Sequence, residues 1–168
     1  RVSAQAATSY MLVAYGHGGF DRIESPVFNL GTLPAGNLYT SAEDLAKFLS
    51  CLFADGKSDG NQILKPETLA EMFTPQLTDG DSGFGLGFSV GKFRDHKRIS
   101  HTGAVYGFSS SFAGIPELKV GVIVLANEDI AMGPVSKIAN AALGWMVDAR
   151  LEEELKELET YEDVPEDA

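Results

Sequence analysis

Apolar and small residues alternate strictly through Gly83–Phe93, GFGLGFSVGKF, and this period of two predicts a strand. Phe84, Leu86, Phe88 and Val90 would share one face, with Gly85, Gly87 and Ser89 between them. After a charged turn at Arg94–Lys97, in which His96 reads as solvated, the stretch Arg98–Asn127 predicts two adjacent antiparallel strands. The first, Arg98–Ile115, is rich in small and hydroxyl residues and carries His101, Thr102 and Gly103 in its first half. Pro116–Lys119 makes the turn, because proline cannot serve a central strand's ladder. The second strand, Val120–Ala126, is apolar on both parities, as a strand covered on both faces is. Such a strand needs a pairing neighbour on each edge, and no remaining segment offers a convincing fourth strand.

Helical periodicity appears in three places. Thr40–Ala54 opens on a capping box of Thr40 and Glu43, buries Leu45, Phe48, Leu49 and Leu52, and ends at Asp55-Gly56. Pro66–Phe73 is a short helix with proline at its first position and Pro75 beyond its end. Gly133-Pro134 opens a long helix whose stripe is Val135, Ile138, Ala139, Ala142 and Met146, continuing through Ala149. Residues 1–33 show little periodicity and read as a glycine-punctuated loop packed over something. The expected organisation is one domain over residues 1–159, with a loop and helical part at 1–80 and antiparallel strands plus a helix at 81–159. Residues 160–168 read as an acidic tail or linker.

At 168 residues, 44% hydrophobic and 22% charged, the chain has the bulk and composition of a globular domain. It has no run of about 18 apolar residues, so no membrane span is expected. The first residue is Arg and no leader pattern follows, so the chain is expected to be part of a longer product. The net charge of −11 is unevenly placed. Ten acids stand against Arg150 and Lys156 from Asp148 onward, so the body is close to neutral. No basic cluster exists for nucleic acid. Cys51 lies in an apolar helical register and reads as a buried, inert thiol. His17, His96 and His101 have no ligand spacing, so neither a metal nor a cofactor is expected. His17, in YGHGG, reads as a loop histidine, with a substrate contact as the sharper alternative.

The ordered blocks HTG, GFSSSFAGIPE and VGVIVLAN, followed by a long helix, resemble the C-terminal half of the serine β-lactamase-like family. That family includes class C β-lactamases, DD-peptidases, D-aminopeptidases and esterases. The resemblance extends back through PAGNLYTSAEDLAKFL and ILKPETLAEMFTPQ, covering roughly residues 33–147. It implies an α+β fold, an antiparallel sheet flanked by helices, without a cofactor. It also implies an extracytoplasmic or bacterial cell-envelope setting.

Acyl transfer needs a nucleophile, a base and donors aimed at the developing oxyanion. In the family these are a helix-borne Ser-x-x-Lys, a Tyr-x-Asn loop and a Lys/His-Thr-Gly strand. This sequence matches the third. Its Ser-x-x-Lys, Ser89-Val90-Gly91-Lys92, falls in a predicted strand, where the two side chains would project to opposite faces. Tyr39-Thr40-Ser41 is a superficial likeness to the second element, with Thr40 assigned as a helix cap. By resemblance, Ala104 N–H would be an oxyanion donor and His101 a proton-shuttling replacement for the family's lysine. Thr102 would hydrogen-bond a substrate carboxylate or carbonyl, and Gly103 would let an extended substrate approach and pair with the strand edge. Taken without its flanking blocks, His101 reads only as a polar strand residue.

Three readings follow. The chain is the C-terminal part of a serine hydrolase, inactive by itself and completed by the missing N-terminal part of the same fold. Alternatively it is a non-catalytic module binding a peptide or peptidoglycan stem, or a structural subunit whose acidic tail is the interaction element. A small-molecule or peptide substrate is the expected partner of the first.

Overall fold

The computed structural model describes residues 6–16, 18–27, 31, 33–77 and 82–162. The elements in chain order are β1 (Tyr10–Ala14), β2 (Phe20–Glu24), α1 (Leu33–Gly36), α2 (Ala42–Phe53), β3 (Lys57–Ser58), β4 (Asn61–Gln62) and α3 (Pro66–Met72). They continue with β5 (Gly83–Phe84), β6 (Ser89–Phe93), β7 (His96–Val105), β8 (Phe108–Ile115), β9 (Val120–Ala126) and α4 (Met132–Glu162). The last five strands make one antiparallel sheet in the order β5-β6-β7-β8-β9, while β1-β2 and β3-β4 are separate two-stranded hairpins. Helices cover both faces of the sheet, so the α+β class read from the sequence is the class observed.

One face takes α4. Ala113, Ile115, Val120, Leu143 and Val147 form its core, with Phe93 and Leu151 packed beside them. The other takes α2 and α3 through Leu49, Leu52, Leu69, Phe73, Phe88, Val90 and Ile99. Gly114 and Gly121 face each other in the β8–β9 register and make the seat for α2. A Cβ on Gly114 would lie 2.6 Å from Phe53 Cζ, and one on Gly121 would lie 2.4 Å from Leu49 Cδ2. A side chain at either position would force the Phe53 ring or the Leu49 methyls to shift from their places against the sheet.

Several expectations change in the structure, each for a local reason. Arg98–Ile115 is two strands, because Tyr106-Gly107 reverses the chain between β7 and β8. Gly107 has φ +80°, a conformation that suits glycine at a tight turn. Gly83–Phe93 is likewise a hairpin of β5 and β6, since Gly87 takes φ +82° and the backbone of Gly85 abuts α3. A Cβ on Gly85 would fall 2.0 Å from Met72 O. Phe84 and Leu86 are consequently exposed, while Phe88 and Val90 are buried.

The cap of α2 is Ser41, whose side chain accepts from Asp44 N at 3.1 Å, one residue later than the Thr40–Glu43 box. Phe48 faces solvent, and Cys51 is buried as expected. On α4 the buried stripe is Val135, Ala139, Leu143 and Val147, a strict i, i+4 row; Ile138 and Met146 are exposed. Tyr10–Ala14 and Phe20–Glu24, read as loop, pair as the β1–β2 hairpin, whose apolar residues do not alternate cleanly enough to announce strands. His96 is part-exposed rather than fully solvated, and its ring meets the exposed Glu117 carboxylate, which ties the β6–β7 turn to the β8–β9 turn. His17 lies outside the described residues.

Strand β9 pairs with β8 along its whole length. Among the described residues no other strand pairs with it, apart from a single parallel bridge between Tyr10 and Glu128 just past its end. Leu125 is 42% exposed there, although the strand's apolar pattern suits an interior position.

Fully buried Leu143 and the 74%-exposed Trp145 test this assignment of α4 faces. Leu143→Ala should lower the unfolding free energy by about 2–5 kcal/mol in urea titration, whereas Trp145→Ala should change it by less than about 0.5 kcal/mol. A second prediction concerns acid. The hydrogen bond from Arg94 holds the Asp148 carboxyl below its ordinary pKa. Stability from a depressed carboxyl is present above the unfolded pKa, about 3.9, and is lost as pH falls through the folded value. Asp148→Asn should therefore flatten the acid limb of a stability-against-pH curve and leave its slope above pH ~5 unchanged.

Candidate functional site

His101, Thr102, Gly103 and Ala104 lie consecutively in the second half of β7. The first half is anchored: Ile99 is fully buried, and β6 pairs with β7 from Phe93↔His96 to Ser89↔Ser100. There β6 stops. The chain before Ser89 turns away through residues 85–88, with Leu86 N donating to Met72 O at 3.1 Å, so among the described residues no strand accompanies β7 further on that side. On the other side β8 pairs continuously, from Ile99↔Gly114 to Val105↔Phe108. From His101 to Val105 the strand thus has one paired edge and one open edge among the described residues.

The register decides which groups the open edge presents. Two-residue turns join β6 to β7 and β7 to β8, so Phe93↔His96 and Val105↔Phe108 are the hydrogen-bonded closing pairs. Counting by two from either end gives the same answer. His101, Gly103 and Val105 turn their backbone groups toward β8, and Thr102 and Ala104 turn theirs outward. The free donors at this edge are therefore Thr102 N–H and Ala104 N–H.

Side chains alternate about the same strand. His101 and Gly103 lie on the α2 side; Thr102 and Ala104 lie on the α4 side. The four share an edge rather than a face. His101 is exposed, and its ring stacks on Phe112, its cross-strand partner, at a centroid distance of 6.3 Å and 23° between planes. Phe112 meets Phe88 edge-on at 6.1 Å, and Phe88 meets Phe73 at 5.2 Å, so a row of rings runs from the core to the imidazole. Gly103 makes room for Ser110 on β8, whose Oγ would lie 2.5 Å from a Cβ there. An open hollow of about 340 Å³ adjoins the strand end, lined by Ala104, Val105, Tyr106 and Asp129. Asp129 is held in place by Leu12 N–H, 3.0 Å from its Oδ1.

Ser89 and Lys92 occupy opposite parities of β6 and cannot act as a pair. Among the described residues no group of three His, Cys, Asp or Glu side chains comes together as a metal site, and no helix is long and apolar enough to cross a membrane. Sequence reasoning missed Phe112, Ser110 and the orientation of the Thr102 and Ala104 amides. These follow from a register that only the Tyr106-Gly107 turn reveals.

Comparison with known proteins agrees with this architecture. A family model described as Beta-lactamase matches residues 2–144. Putative beta-lactamase-like 1 of Homo sapiens is 26% identical over 115 residues, covering 66% of this chain and 22% of that protein. Beta-lactamase-like protein 2 of Dictyostelium discoideum is 32% identical over 106 residues, covering 59% of this chain and 18% of its own length. Among solved structures, an octameric penicillin-binding protein homologue from Pyrococcus abyssi superimposes with a TM-score of 0.66 at 29% identity. That match covers 84% of this chain and 31% of the homologue. The chain thus spans about a fifth of these curated relatives and under a third of the solved structure. The matched segment, the five-stranded antiparallel sheet and the strand bearing His101-Thr102-Gly103 point the same way: the chain belongs to the beta-lactamase family.

Proposed function

We propose that this chain supplies the strand wall of an acyl-transfer site in a serine hydrolase that acts on an ester, an amide or a D-amino-acid peptide. One observation carries the reading: among the described residues, β7 is paired on both edges up to Ser100 and open on one from His101 to Val105. An extended acyl substrate can add there as a further strand, bonding the outward backbone groups of Thr102 and Ala104. Ala104 N–H is then a fixed donor for the oxyanion that forms as the carbonyl is attacked. His101, braced on Phe112, stands beside the bound substrate as the group that moves a proton. The Thr102 hydroxyl serves a carbonyl or carboxylate of the same substrate.

The attacking serine and its lysine come from a segment outside this sequence, since Ser89–Lys92 has the wrong geometry. A segment of that kind would add a strand to the outer edge of β9, whose apolar pattern is that of an interior strand. The same open edge supports a second reading, a non-catalytic module that holds a peptide by strand addition without cleaving it. The lack of a helix-borne Ser-x-x-Lys in this sequence favours that reading wherever no upstream serine is supplied.

The chain by itself should neither hydrolyse p-nitrophenyl acetate above background nor become labelled by a fluorescent penicillin. In a protein that joins it to an upstream Ser-x-x-Lys segment, both reactions should appear, and His101→Ala should lower kcat/KM by about 10²–10⁴-fold. Serine-dependent turnover by the isolated chain would overturn the proposal. So would full activity of the His101→Ala variant in the joined protein.

A further inference from the structure

The open edge of β7 ends at the hollow of about 340 Å³ lined by Ala104, Val105, Tyr106 and Asp129, and only the last of these residues carries a charge. Asp129 belongs to the chain between β9 and α4. Ser109, the cross-strand partner of Ala104, donates from Oγ to Glu128 O at 2.9 Å. The chain from β9 to α4 therefore passes over the face of the sheet that carries the Ala104 side chain. Strand β1 then fixes Asp129 at two points. Asp129 N donates to Tyr10 O at 3.0 Å, and Leu12 N donates to Asp129 Oδ1, also at 3.0 Å. Backbone thus positions the carboxylate, and a single N–H leaves most of its acceptor capacity unused.

Its charge is not neutralised. The residue opposite Leu12 in the β1–β2 register is Arg22, and that cation is committed elsewhere. Its Nε lies 2.8 Å from Glu128 Oε2, and its guanidinium stands 3.7 Å over the Tyr10 ring. Among the described residues no cation pairs with Asp129. An extended molecule bound along Thr102–Ala104 would reach, at one end, a hollow with a fixed negative charge in its wall. An ammonium gains charge-assisted hydrogen bonds there, whereas a carboxylate meets like charge.

We propose that this hollow is a substrate subsite for a cationic amine, with Asp129 as the group that sets specificity. The inference rests on the acyl-transfer reading for the placement of the substrate, and it sharpens the substrate class. Molecules that carry an ammonium beside the segment pairing with β7 are preferred over their acylated or anionic counterparts.

The test is a titration of the full chain with three peptide amides that differ only at the amino end. D-alanyl-D-alanine amide carries an ammonium, its N-acetyl derivative is neutral and its N-succinyl derivative is anionic. Amide NMR shifts at residues 102, 104, 106 and 129 are the readout. The ammonium form should bind more tightly than the acetyl form by roughly fivefold or more, with the succinyl form weakest. Asp129→Asn keeps the oxygen that accepts from Leu12 and removes the charge, so it should abolish the preference. Asp95→Asn removes the same charge from an exposed turn at the other end of β7 and should leave the preference intact. If Asp129→Asn does not fold, the wild-type preference should still shrink severalfold between low salt and about 1 M sodium chloride, where the Debye length is about 3 Å. Equal binding of the three probes, with shifts at Thr102 and Ala104, overturns the subsite and leaves the strand-edge reading standing. A preference that persists in Asp129→Asn also overturns the subsite, and no saturable shift from any probe overturns both.

Discussion

Gly107 is the residue on which the geometry of this chain turns. It holds φ +80° at the second position of the β7–β8 turn, and its missing side chain is replaced by a neighbour. A Cβ there would come 2.6 Å from Ser9 Oγ and 2.8 Å from Ser25 Cβ, both at the base of the β1–β2 hairpin. Ser25 Oγ also donates to Tyr106 O at 3.4 Å, and Ser25 N donates to Ser9 O at 2.8 Å, which closes the grip on the turn. With the turn held at two residues, the ladder below it has one register. A slip by one residue would exchange every side chain between the faces and every amide between the edges.

Everything at the candidate site follows from that register. It places His101 over Phe112 and thereby at the end of the ring row that starts in the core at Phe73. It turns the Thr102 and Ala104 amides outward at the stretch where β6 has ended. It also sends Arg98 to the other face, under α4 and against Asn140. The sheet is covered by helices on both sides, α2 resting on Gly114 and Gly121 and α4 on Ala113, Ile115 and Val120. A strand edge is an unlikely place to leave backbone donors bare unless something binds there, because such edges recruit strands indiscriminately. Here the exposed length is five residues, enough to hold a substrate and short enough to limit that hazard.

Much of the fold was legible in the chain. The β9 run VGVIVLA, the turn at Pro116–Lys119 and the helix starting before Val135 all stand where periodicity and proline put them. What periodicity could not reveal was where glycine breaks it. GFGLGFSVGKF alternates as a strand does, yet Gly85 and Gly87 fold it into a hairpin, because an alternation of small and large residues looks the same straight or bent. Likewise TGAVYGFSSS carries no proline or Asn-Gly pair to announce a reversal, and Tyr106-Gly107 supplies it with one left-handed glycine. The site was legible as residue types, since His101, Thr102, Gly103 and Ala104 do share one stretch of strand edge. Its orientation was not, because which amides face outward depends on the hidden turn.

Residue-by-residue hydrogen exchange along β7, read by NMR, tests that orientation most directly. The account predicts protection at Ser100, His101, Gly103 and Val105 and fast exchange at Thr102 and Ala104. Slow exchange at Ala104, or uniform protection from Ser100 to Val105, would contradict it, because the donors assigned to an incoming acyl group would then already be spent on the protein itself.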